Sequence, residues 1–153
     1  MKKTTFLFIS ILVLSLAGCL EWPTVEEDND DDQDTAYADI YYVQVVDGME
    51  EIVPFEREIE MINGIEESAL SALVEGVPGG GDFSSSIPEG TELLSFTLED
   101  GVATADFSGE IDPGGGSAWV TSIREQIEQT LMQFDTVNEV EILVEGEEDS
   151  LQP

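Results

Sequence analysis

The chain's alternation of apolar and polar positions changes period several times between residue 38 and residue 146, and each change marks an element. Residues 38–46 (ADIYYVQVV) are rich in β-branched and aromatic side chains and predict a strand covered on most of both faces. After a turn at Asp47-Gly48-Met49-Glu50, residues 51–59 alternate, with Val53, Phe55, Arg57 and Ile59 on one face. Pro54 has no N–H to give a ladder, so this second strand belongs at a sheet edge or holds a bulge. The two strands predict a hairpin.

The period then becomes helical. Asn63 is placed to cap a helix, with Glu66 three residues on, and Ile65, Ala69, Leu70 and Leu73 form its apolar stripe. Gly76 and Pro78 end it. Residues 79–86 (GGGDFSSS) read as a flexible loop with Phe83 as its apolar anchor. Ile87-Pro88-Glu89-Gly90 turns the chain into residues 91–98, where Leu94, Phe96 and Leu98 are expected on one face. Asp100-Gly101 links this strand to residues 102–107, and a two-residue Asp-Gly link between alternating runs is a strong hairpin signal.

A glycine-rich loop follows at residues 112–117, and Ser117 is placed to cap a second helix. Its stripe is Val120, Ile123, Ile127, Leu131 and Phe134, with Glu125, Gln126, Glu128, Gln129 and Gln133 expected outside. Residues 137–144 predict a last strand with Val140, Ile142 and Val144 inward, and residues beyond Gly146 read as frayed. The order β-β-α-β-β-α-β predicts an α+β fold, a mostly antiparallel sheet with two helices on one face, spanning residues 37–148 ahead of a tail at 149–153.

The first residues follow another logic. Lys2 and Lys3 precede an apolar run at residues 6–14, too short for a membrane-spanning helix of about 20 residues, so residues 1–18 read as a secretory signal. Leu16-Ala17-Gly18-Cys19 resembles the lipobox of bacterial lipoproteins, which implies lipidation at Cys19, a membrane anchor and an extracytoplasmic location. Cys19 is the single cysteine, so no internal disulfide can form. Residues 19–36 read as an acidic tether, with Trp22 at the membrane interface. Asp28, Asp30 and Asp32 alternate as in a calcium-binding EF-hand loop, but Gln33 stands where that loop needs glycine and Asp39 where it needs glutamate.

Composition changes the picture through charge. The chain carries 35 Asp and Glu against 4 Lys and Arg, a formal charge of −31. Loss of residues 1–18 would remove both lysines and no acid, leaving Arg57 and Arg124 as the cations. Such self-repulsion disfavours a compact state unless salt screens it, and it argues against nucleic acid and anionic lipid headgroups as direct partners.

No histidine is present, which removes serine triads, cysteine–histidine pairs and the usual zinc sites. Ser84, Ser85 and Ser86 lack a lysine to activate them once residues 1–18 are gone. Asp106, Glu110 and Asp112 gather near the end of the 102–107 strand and are the candidates for a cation or for carboxylate chemistry; the alternative is that Asp106 bonds backbone groups of the loop that follows. Trp119 lies one position off the second stripe, either as cover for the hairpin or as an exposed anchor for a protein partner. No cofactor and no catalysis are expected.

Several segments now read together. Residues 69–78 (ALSALVEGVP) resemble the "aLxaLlxGP" helix end of the GerMN domain family, known from sporulation and spore-germination lipoproteins. Residues 86–91 (SIPEGT) are similar to its "saIPxGT" turn, residues 102–108 (VATADFS) to its "xaxVDlS" strand, and Gln129-Thr130-Leu131 with Val137, Val140, Glu145 and Gly146 to its closing pattern. Val77, between the glycine and the proline, and Glu145, where the family often has Asp, depart from that pattern. The segment α-β-β-α-β is also similar in order to the ring-building motifs of secretion assemblies. The resemblance implies a module for binding or assembly with an envelope protein or with itself, connected with sporulation or germination. The rival readings are an acidic cation-binding or salt-adapted envelope protein and a carboxylate-dependent wall hydrolase.

Overall fold

Asp47 and Gly48 both take positive φ, 52° and 83°, and this two-residue link joins strand β1 (Thr35–Val46) to β2 (Met49–Glu60) in unbroken antiparallel register from Val46↔Met49 to Thr35↔Glu60. Primed turns of this kind match the twist of the strands they join, so the link is shorter than the four residues expected. A computed structural model describes residues 34–148 except Pro113, together with Leu151. The signal segment, Cys19, Trp22, the aspartates at 28, 30 and 32 and most of the tether lie outside the described residues. β1 starts at Thr35, inside the stretch read as tether.

Sheet one has the order β2-β1-β3, where β3 is the short Phe83–Ser84. Pro54 therefore lies on an edge strand, as its missing N–H requires. The loop read as flexible is pinned here, because Phe83 packs edge-on against Phe55 with ring centroids 5.2 Å apart. Only one face of β1 is fully covered. Ala38, Ile40 and Tyr42 are buried, whereas Tyr37 and Val45 on the other face are exposed, which corrects the expectation of two covered faces.

Helix α1 (Ile65–Val74) starts after Gly64, so Asn63 does not cap it. The Asn63 amide donates to Glu67 Oε1, and Glu66 accepts from the Thr136 hydroxyl instead of reaching back. The helix ends as expected, with the Gly76 N–H donating to the Leu73 carbonyl.

Sheet two has the order β4-β5-β6, from β4 (Leu93–Glu99), β5 (Val102–Phe107) and β6 (Glu139–Val144). Asp100 and Gly101 form a second two-residue link, with φ 50° and 86°. A register shift between Leu93 and Ser95 turns Leu94 out, leaving it 50% exposed, while Leu93, Phe96 and Leu98 face the core. β6 runs parallel to β5, the one parallel pairing among the described residues, because helix α2 (Ser117–Met132) carries the chain across between them. α2 begins after Gly116, with no side-chain cap from Ser117.

The fold is α+β, with its strands divided between two three-stranded sheets and two helices that touch each other and both sheets. One core joins them, centred on Tyr42, Leu70, Leu73, Phe107, Ile127 and Leu131. Each fully buried side chain of this size contributes about 1.5–3 kcal/mol. The end of the described chain is not wholly frayed: Glu147 bridges back to Val144, and Leu151 is buried in the same core.

Candidate functional site

The polar side of α2 lies against the edge of β1 that β3 leaves open. Backbone groups of residues 39, 41 and 43 face that edge, and β3 pairs only as far as Val43. Side chains of α2 and of Gln133, the residue just past its end, complete the row. Gln126 Nε2 donates to the Tyr41 carbonyl (2.9 Å), the Tyr41 N–H donates to Thr130 Oγ1 (3.2 Å), and Gln133 both accepts from the Asp39 N–H (3.0 Å) and donates to its carbonyl (2.6 Å). Gln126 and Thr130 are fully buried, against the expectation that Gln126 points outward. The spacing 126, 130, 133 repeats the helical period beside the apolar stripe, a signal present in the sequence but concealed by residue type. An unpaired buried backbone group costs about 1–3 kcal/mol, so this seam gives the sheet edge a polar cover.

The seam continues into the serine loop. Gln126 Oε1 accepts from the Ser86 N–H (2.7 Å), and the Ser86 hydroxyl meets that of Ser122 at 2.7 Å. Ser85 Oγ accepts from the Ile87 N–H. Among the described residues these hydroxyls bond Ser122 and the Ile87 N–H, and no hydrogen bond ties them to a carboxylate; two of the three serines tie the loop down. Trp119 donates from its indole N–H to the Ser86 carbonyl (2.6 Å) and packs over Gly115, where an added Cβ would collide with the ring. It covers the glycine loop and the serine loop and remains 41% exposed.

The three acids near the end of β5 are separately engaged. Asp106 Oδ1 accepts from the Gly146 N–H (2.9 Å), thus bonding the loop after β6 and not the one after β5. Asp112 Oδ1 accepts from the Gly114 N–H (3.1 Å). A hydrogen bond from the Ser108 hydroxyl, aided by the Glu110 backbone, holds the exposed Glu110 carboxyl below the usual carboxylate range. Among the described residues no three acids or cysteines come together to hold a metal ion.

Arg57 and Tyr42 close the C-terminal end of α1. The Tyr42 hydroxyl donates to the Gly76 (2.8 Å) and Ala72 (3.2 Å) carbonyls, and Arg57 donates to the Ala72 carbonyl (2.7 Å) while pairing with Glu75 at 2.6 Å. A cation here opposes the negative end of the helix dipole. Burial raises the Tyr42 phenol above its ordinary value, although the Arg57 hydrogen bond pulls the other way. Arg124 pairs with Glu128 at 3.2 Å.

A hairpin, a helix with a glycine end, a second hairpin and a β-α-β closure recur together in a known family. The model described as "Germane: Sporulation and spore germination" matches residues 39–150. The chain belongs to the Germane family. Its Germane domain shares its fold with solved GerMN domains. The tandem GerMN domains of the sporulation protein GerM from Bacillus subtilis superpose with a TM-score of 0.63 at 21% identity, covering 77% of this chain and 41% of that one. The chain thus spans well under half of that tandem structure. The first GerMN domain of the same protein gives a TM-score of 0.57 at 21% identity, covering 74% of this chain and 85% of that chain. A Clostridium perfringens protein described as a lipoprotein gives 0.52 at 23% identity, covering 74% and 76%. The curated proteins include no match. No helix of the described residues is long and apolar enough to cross a membrane.

Proposed function

We propose that this protein is a non-catalytic extracytoplasmic lipoprotein, anchored through lipidated Cys19, whose Germane domain binds or assembles with cell-envelope proteins in sporulation or germination. The observation that carries this reading is the order of parts: a Leu16-Ala17-Gly18-Cys19 segment followed by an acidic stretch and then a Germane domain over residues 39–150. The fold neighbours support it, one being a sporulation protein and another described as a lipoprotein. Stable anchoring takes more than one acyl chain, each adding about 0.8 kcal/mol per buried CH2. Trp119 supplies the second element of the reading, as a partly exposed indole fixed by Ser86 at a seam between loop and helix.

The test is metabolic labelling with a radioactive fatty acid, followed by detergent phase partitioning. Wild-type chain is expected to carry label and enter the detergent phase, and Cys19→Ser to do neither. Label in the Cys19→Ser chain would defeat the anchor. Light-scattering mass of the Cys19→Ser chain at low and molar salt then separates discrete self-assembly from a one-to-one binder.

A further inference from the structure

The face of sheet one that the core does not use carries a pattern that edge protection leaves unexplained. On it Tyr37 lies opposite Glu58, Asp39 opposite Glu56, and Tyr41 opposite Pro54. Glutamates and a proline on the outer strand keep an open edge from pairing with other chains. Asp39 belongs to the inner strand, however, and like charges directly across a ladder destabilise it. No ion pair relieves this one among the described residues, where the pairs are Arg57–Glu75 and Arg124–Glu128. Beside the two carboxylates stands Tyr37, 65% exposed, and a shallow open cleft runs between Tyr37, Asp39, Glu56 and Gln133.

We propose that this outer face, built from Tyr37, Asp39, Glu56 and Glu58 with Tyr41 at its margin, docks an arginine- or lysine-rich segment of another protein. A guanidinium over the Tyr37 ring gains cation–π attraction while its donors reach the Asp39–Glu56 pair, and the repulsion between those carboxylates becomes attraction to the guest. The complementarity fixes the sign of the partner. A second copy of this chain brings 35 acids and 4 basic residues, so it is repelled from this face. The inference rests on the binding role proposed above and names the chemistry of its partner.

The test uses the full chain in a nonionic detergent and a fluorescent arginine–glycine repeat peptide at physiological salt. Saturable binding is expected, weakened about tenfold in the double variant Asp39→Asn/Glu56→Gln, as loss of two charge-assisted contacts implies. Tyr37→Ser is expected to weaken it about threefold, whereas Tyr37→Phe keeps the aromatic face and the affinity. The control Glu89→Gln/Glu99→Gln removes the same charge from exposed positions in other elements and is expected to change affinity less than twofold. Removing a like-charge pair does not lower the melting midpoint, so unfolding cannot imitate the loss. Equal weakening in the control and face variants would show a diffuse acidic field and overturn the proposal, as would absence of saturable binding. In either case fatty-acid labelling and solution mass still judge the lipoprotein reading separately.

Discussion

Gln126, fully buried on α2, holds the Tyr41 carbonyl of β1 with its amide nitrogen and the Ser86 N–H with its amide oxygen. One side chain thus joins a helix, a sheet edge and a loop. Gln126→Leu keeps the volume but leaves two backbone groups unpaired, so a loss of about 2–6 kcal/mol is expected in denaturant unfolding. Thr130→Val removes only the acceptor for the Tyr41 N–H. It is expected to cost about 1–3 kcal/mol and to speed hydrogen exchange at that amide.

Tyr42 makes the fold sensitive to alkali. Burial raises its phenol above the ordinary value, so the folded state prefers the neutral hydroxyl that donates to the Ala72 and Gly76 carbonyls. That stability is complete below the unfolded value of about 10 and is lost as pH rises through the higher folded value. Thermal melts should show the wild-type midpoint falling above about pH 10 more steeply than that of Tyr42→Phe. At neutral pH Tyr42→Phe is expected to cost about 1 kcal/mol.

Gly115 is the floor under Trp119. Gly115→Ala places a methyl where the ring now rests, so the indole must move and its bond to the Ser86 carbonyl breaks. A red shift in tryptophan emission is expected, measured against a Trp22→Phe background so that Trp119 alone reports. Unchanged emission would show that the ring does not depend on this contact.

Salt should stabilise the chain. With a formal charge of −31, repulsion acts over a Debye length of about 8 Å at physiological salt and about 3 Å at molar salt. The melting midpoint is expected to rise with NaCl. A flat response would mean that the carboxylates stand too far apart to repel one another appreciably.

Much of the fold was legible from residue order. Asp100-Gly101 announced its hairpin because both residues adopt positive φ, and Gly76 with Pro78 announced the end of α1. Pro54 announced an edge because a missing donor cannot be hidden in mid-sheet. The Germane pattern was readable in residues 69–78, 86–91 and 102–108, which shape a helix end, a turn and a strand.

Less local relations were not. Polarity placed Gln126 outside, since nothing in its neighbours records that the edge of β1, 85 positions away in sequence, would lack a strand partner there. Alternation puts Leu94 on one face with Phe96 and Leu98, because it cannot register the shift beside it. Of the two roles that its position offers Asp106, a cation or carboxylate site and a bond to the loop after β5, neither names the partner it has, the Gly146 N–H beyond β6.

Sequence by itself determined the longer strands and both helices, the Asp-Gly hairpin, the family and the excess of carboxylates, because propensity, φ preference and charge are properties of single residues and short spacings. Tertiary structure alone decided the division into two sheets and the polar seam on α2, because each depends on which distant backbone groups are left without partners when the chain closes on its core, and it decided the acidic tyrosine face through the strand register and the side of the sheet that the core leaves open.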